Sequence, residues 1–122
     1  MMVLVDTSVW VAHFRSGTIR LDELLEEGKA VSHPFIIGEL ACGNLKNRKE
    51  ILSLLEALPT ATVAGYEEVL QFIENHRLMG MGLGYVDVHL LAAALLTGVP
   101  LWTKDRTLKH AATSLQISYR GV

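Results

Sequence analysis

Apolar residues along this chain fall into two patterns, short unbroken runs and longer stretches spaced three and four apart. Residues 2–6 (MVLVD) form the first run, wholly apolar until the acid, and predict a short buried strand. Thr7 or Ser8 is placed to cap the helix that follows, with Val9, Trp10, Ala12, His13 and Phe14 in its first turns and Gly17 at its end. Residues 20–27 (RLDELLEE) set Leu21, Leu24 and Leu25 on one helical face, stopped by Gly28. Residues 30–32 predict a second strand. Pro34 opens a helix through FIIGELACGN, since proline at the first helical position loses no hydrogen bond.

Further helices are predicted over 48–58, ended by Pro59, and over 66–78, with a weak strand at 61–63 between them. MGMGLGY follows, with three glycines at alternate positions. Next comes VDVHLLAAALLTG, apolar on nearly every side, which predicts a central helix closed by Gly98. PLWT reads as a strand, DRTLKHAATSL as a helix and QISY as a last strand. Strands alternating with helices at this spacing predict an α/β layered fold with a mostly parallel sheet. No repeat or linker divides the chain, which predicts a single domain over residues 1–122.

Composition narrows the class. Half of the 122 residues are hydrophobic and a fifth are charged, which argues against disorder. The apolar runs break well short of a membrane span, and the N-terminus has no basic region ahead of one. The single cysteine, Cys42, has no internal disulfide partner and suits a reducing compartment, where it reads as a small buried hydrophobe. The expectation is a soluble, cytoplasmic domain. A formal net charge of −2 argues at first against a nucleic-acid partner.

Where the acids sit changes that picture. In open parallel sheets chemistry gathers at the carboxyl ends of strands, and Asp6 and Asp105 fall there. Glu39 in FIIGELACG and Asp87 in GYVDVHLLAAA occupy apolar helical surroundings that offer an acid no packing reason. The remaining nine acids lie on amphipathic helices beside polar residues and read as solvated faces. Taken singly, Asp6 and Asp105 are explained as helix caps, and Asp87 as a first-turn acid favoured by the helix dipole. Together, four carboxylates would repel one another and call for a cation. Oxygen ligands with no Cys or His cluster favour a hard ion, Mg²⁺ or Mn²⁺, over zinc.

These residues, in this order, resemble a known family. VLVDTSVWV, the E of IIGELACG, the D of GYVDVHLLAAA and LWTKD look like the signature of PIN-domain ribonucleases, and more narrowly of the VapC toxins of bacterial and archaeal toxin–antitoxin pairs. No one motif is specific; the ordered set over the whole chain is. The resemblance implies a PIN-like three-layer α/β fold, a small mostly parallel sheet flanked by helices. It also implies that Asp6, Glu39, Asp87 and Asp105 hold one or two Mg²⁺ or Mn²⁺ ions, with the hydroxyl of Ser8 or Thr7 supporting the first acid and Thr103 beside the last. A cognate VapB-type antitoxin and a homodimer are the partners it leads one to expect. Exposed apolar surface on the helices of residues 20–58 would serve either, although in sequence those faces look like ordinary core. Two positions depart from the pattern. Thr107 stands where many relatives carry a further acid, which makes Asp105 a candidate outer ligand acting through water. His89 replaces a small or apolar residue and reads as a packed or rim side chain.

The chemistry implied is metal-assisted hydrolysis of an RNA phosphodiester, giving a 5′-phosphate and a 3′-hydroxyl with no protein nucleophile. Without the four candidate ligands the formal charge rises from −2 to +2, and Lys104 and Arg106 beside Asp105 are the candidate phosphate contacts. MGMGLGY precedes a helix without following a strand, so it fails as a phosphate loop and reads as a helix break. Two rival classes stay open: a PIN-like module that binds RNA or protein without cutting, and a receiver-type signalling domain. The receiver reading wants paired acids near the first strand and a phosphoacceptor after the third, and neither is in place.

Overall fold

The computed structural model describes residues 1–120, and its centre is a three-stranded parallel sheet. Strand β1 (Val3–Val5) lies in the middle, with β2 (Ala30–Val31) on one side and β3 (Leu101–Trp102) on the other. Val3 pairs with Ala30, while Leu4 and Val5 pair with Leu101 and Trp102. A central strand covered on both faces must be apolar throughout, and all three residues of β1 are fully buried.

Helices α1 (Thr7–Ser16) and α2 (Ile19–Glu26) make the crossover from β1 to β2. Four more lie between β2 and β3: α3 (Pro34–Ala41), α4 (Arg48–Ala57), α5 (Tyr66–His76) and α6 (Tyr85–Thr97). Helix α7 (Arg106–Ser114) follows β3. Contacts run from α2 to β2 and from α6 to β3, and the helices pair as α1 with α3, α3 with α4, and α5 with α6. Helix α6 is the central helix that its sequence predicts. Residues 88–94 are all buried, and Gly98 closes it in the left-handed conformation.

The weak strands shrink to isolated pairings. Residues 61–63 form no strand; a lone bridge joins Thr60 to Ser32. QISY likewise contributes one bridge, Ser118 to Leu101. Both segments lie beside strands only two residues long, which offer too few ladder positions to propagate pairing. MGMGLGY is the predicted break: Gly80 and Gly82 turn the chain with φ of +74° and +78°, between α5 and α6.

Two expectations about burial fail. Cys42 is exposed, because α3 ends at Ala41 and places it in the C-cap turn rather than on the inner stripe. Large exposed apolar residues gather on and near α5 and α6 (Tyr66, Leu70, Leu95, Leu96) more than on the helices of residues 20–58, where Leu54 is the example. Among the described residues no helix is long and apolar enough to cross a membrane.

Candidate active site

The carboxyl ends of β1 and β3 meet where Asp6 leaves the sheet. The Asp6 N–H donates to the Trp102 carbonyl (2.9 Å), and the residue is only 7% exposed. Burying a carboxylate demands donors, and the fold supplies three to a single oxygen. Asp6 Oδ2 accepts from the Ser8 hydroxyl (2.7 Å), the Thr103 hydroxyl (2.8 Å) and the Ser8 N–H (3.3 Å). Each hydroxyl is itself aimed from behind. Lys104 N–H donates to Ser8 Oγ (2.9 Å), and Asp105 N–H donates to Thr103 Oγ1 (3.0 Å). The turn after β3 thus orients the acid after β1 through two hydroxyl relays.

This arrangement corrects one expectation: Asp6 itself, rather than Thr7 or Ser8, caps α1. Thr103, beside Asp105 in sequence, donates its hydroxyl to Asp6. Thr7 serves a different partner: its hydroxyl donates to Glu39 Oε1 (2.6 Å), 32 residues away. Glu39 is exposed, on the solvent side of a helix whose Ile36 and Leu40 are buried.

Asp87 and Asp105 close helix ends. Asp87 Oδ2 accepts from the Gly84 N–H (3.0 Å) in the first turn of α6, and Asp105 Oδ1 accepts from the Leu108 N–H (2.9 Å) at the start of α7. In every case one carboxylate oxygen is held by the fold. The other (Oδ1 of Asp6, Oε2 of Glu39, Oδ1 of Asp87, Oδ2 of Asp105) accepts no hydrogen bond from the described residues. Burial pushes the Asp87 carboxyl above its ordinary value, the Gly84 N–H opposes this, and the negative charges of Asp105 and Asp6 raise it further. The charges of Asp6 and Asp105 therefore reach Asp87. Among the described residues no three acidic, His or Cys side chains stand at metal-holding distances. The donor chemistry nevertheless fits a hard cation: the oxygens left over are carboxylate, and no thiol or imidazole competes for the same place.

The nine acids read as solvated faces are all exposed. Lys104 and Arg106 flank Asp105 and are exposed as well. An apolar groove of about 670 Å³ opens beside Thr7 and Glu39, lined by Val11, Phe14, Leu40 and Leu45 with Arg15 and Lys46.

A buried row of rings was not legible in the sequence. His33 is fully buried and caps α3, its Nδ1 accepting from the Phe35 N–H (3.0 Å). The available signal was a histidine directly before a helix-opening proline. His89, 5% exposed, packs in α6 as a core residue. Burial lowers both imidazoles, and His89 helps to push His33 down to about 4. A base held neutral in the fold contributes stability above its unfolded value near 6.5 and loses it as pH falls towards 4. Urea unfolding across that range should show the loss. His33→Asn, which keeps a capping acceptor, should flatten that slope.

Residues 3–113 match the PIN domain, and the chain belongs to the PIN-domain family. Its relatives are VapC proteins. The chain is 48% identical over 111 residues to Ribonuclease VapC32 of Mycobacterium tuberculosis, covering 90% of each. It is 27% identical over 111 residues to Ribonuclease VapC1 of Methanocaldococcus jannaschii, covering 88% of this chain and 77% of that one. The fold resembles the crystal structure of PAE2754 from Pyrobaculum aerophilum, with a TM-score of 0.62 at 20% identity over 91% of this chain and 79% of that one.

Proposed function

We propose that this protein is a VapC-type endoribonuclease that hydrolyses RNA phosphodiesters with Mg²⁺ or Mn²⁺, one or two ions, held by Asp6, Glu39, Asp87 and Asp105. The observation carrying this reading is that each of the four acids has one oxygen fixed by the fold and one left for a ligand. Bound there, such a cation would supply Lewis-acid stabilisation of the phosphate and a water of lowered pKa. The chain's own part is positioning. Ser8 and Thr103 hold Asp6 in one orientation, Thr7 holds Glu39, and the starts of α6 and α7 hold Asp87 and Asp105. Lys104 and Arg106 are the cations nearest in sequence to the site and would draw the RNA backbone in.

The VapC relationship further supports a cytoplasmic toxin neutralised by a cognate VapB-type antitoxin. The exposed leucines of α5 and α6 support pairing of two copies. A non-cleaving RNA- or protein-binding module has no need of four acids with free oxygens.

The test is cleavage of RNA by purified, antitoxin-free protein. Cutting should appear with Mg²⁺ or Mn²⁺, stop with EDTA, and leave 5′-phosphate ends. RNA left intact under every divalent-metal condition would overturn the reading.

A further inference from the structure

Three of the four acids are tied together by hydrogen bonds or by neighbouring places in the chain, and one is not. Asp105 N–H donates to Thr103 Oγ1, and Thr103 donates to Asp6. Thr7, next to Asp6, donates to Glu39. The Asp87 side chain, among the described residues, has a single hydrogen-bond partner, the Gly84 N–H at the start of its own helix. Helix α6 is fixed along its buried middle, but Asp87 lies in the first turn, ahead of those buried residues. The negative charges of Asp105 and Asp6 both act on it there. The glycine turn of residues 79–84 is placed to resist that repulsion. Gly80, Gly82 and Gly84 are exposed, while Met81 and Leu83 are half-buried and pack against the core. Two side chains thus anchor the turn, and left-handed backbone at Gly80 and Gly82 bends it. Its far side reaches α7. A methyl added at Gly82 would lie 3.7 Å from the Thr107 methyl, and one added at Gly84 would lie 3.6 Å from Asp87 Oδ2. One added at Gly80 would meet nothing within 4 Å. Thr107 stands two residues past Asp105, which caps α7. Residues 82–84 therefore lie between the helix start that carries Asp87 and the one that carries Asp105.

We propose that Gly82 is a positioning residue of the cation site, and that the turn it bends holds Asp87 close to Asp105 against their repulsion. The proposal rests on the metal-site reading above. Two like charges move apart unless the fold resists. A site held in place before the ion arrives binds it more tightly than one assembled around it. Glycine suits position 82 because a backbone with φ of +78° strains an alanine there, whereas asparagine tolerates it better. Relief of that strain moves the turn beside Thr107 and Asp87. At Gly80, with φ of +74°, the same relief moves the chain into open space.

The experiment titrates Mn²⁺ into metal-free parent, Gly82→Ala, Gly80→Ala and Gly82→Asn. Calorimetry reads each Kd, and thermal unfolding without metal reads each midpoint. The two alanines carry similar backbone strain, so their midpoints should fall alike. That strain is a fraction of a domain's stability, so both variants fold. Only Gly82→Ala should bind Mn²⁺ about 10-fold more weakly, or worse. Gly82→Asn should recover most of the loss. A turn with a merely structural role would lower both midpoints and leave every Kd at the parent's value. That outcome, or equal weakening at 80 and 82, overturns the positioning role and leaves the metal site standing. A parent that binds no Mn²⁺ overturns the metal site and the positioning role together.

Discussion

Asp6→Asn protein should cut RNA about 10³-fold more slowly than the parent, or not at all, with an unfolding midpoint within a few degrees of it. The two halves of that result separate the roles of one side chain. As a helix cap and hydrogen-bond acceptor Asp6 is replaceable: asparagine caps helices as well as aspartate does, and its carbonyl oxygen can accept from Ser8 and Thr103. In the proposed role of cation ligand it is not replaceable, because the charge on its remaining oxygen disappears. Stabilisation of several kcal/mol at the reacting phosphate corresponds to roughly three powers of ten in rate. Cleavage by a gel assay in Mn²⁺, beside thermal unfolding of the same sample, measures both. An active Asp6→Asn enzyme would reduce Asp6 to its cap and remove the metal site from the account.

How far the sequence reveals this site depends on the distance over which each interaction acts. Asp6 and Asp105 stand out because each ends an apolar run at a strand's carboxyl end, a pattern local to five or six residues. Asp87 stands out because nearly every neighbour in α6 is apolar, and the structure buries that helix as its composition requires. Glu39 was conspicuous for the wrong reason. Its neighbours are apolar, but the side chain faces outward to Thr7 and not into the core.

What stays hidden is pairing across the crossovers. Thr103 reaches Asp6 over 97 residues, and Thr7 reaches Glu39 over 32. Both contacts are set by the strand order β2-β1-β3, which no local periodicity encodes. The same holds for Tyr85, His89, Phe35 and His33, which form a row only once α3 and α6 are in place. Strand ends fail for the opposite reason. The pattern at 61–63 and 116–119 permits pairing, but neighbouring strands two residues long give it nothing to extend.

Asp87→Asn should show two effects of opposite sign: loss of cleavage comparable to that of Asp6→Asn, and a more stable fold in EDTA at neutral pH. Burial and the charges of Asp105 and Asp6 raise the Asp87 carboxyl above its ordinary 3.8, so ionising it costs more in the folded than in the unfolded chain. The stability tied to its protonated form is fully present below 3.8 and is lost as pH rises through the raised folded value. Asparagine does not ionise and still offers an oxygen to the Gly84 N–H, so the variant keeps the helix start without the repulsion. Subtracting the parent's stability-against-pH curve from the variant's isolates this group from the acid loss caused by His33, which both share. Divalent metal should then stabilise the parent, by about 2.7 kcal/mol at 100 times its Kd, and the variant far less. Were Asp87 only a first-turn helix acid, Asn would leave cleavage intact and the metal would stabilise both proteins equally. Stability gained at neutral pH together with activity lost, and with the metal's stabilisation lost as well, is the outcome that a charged site held together for a cation produces.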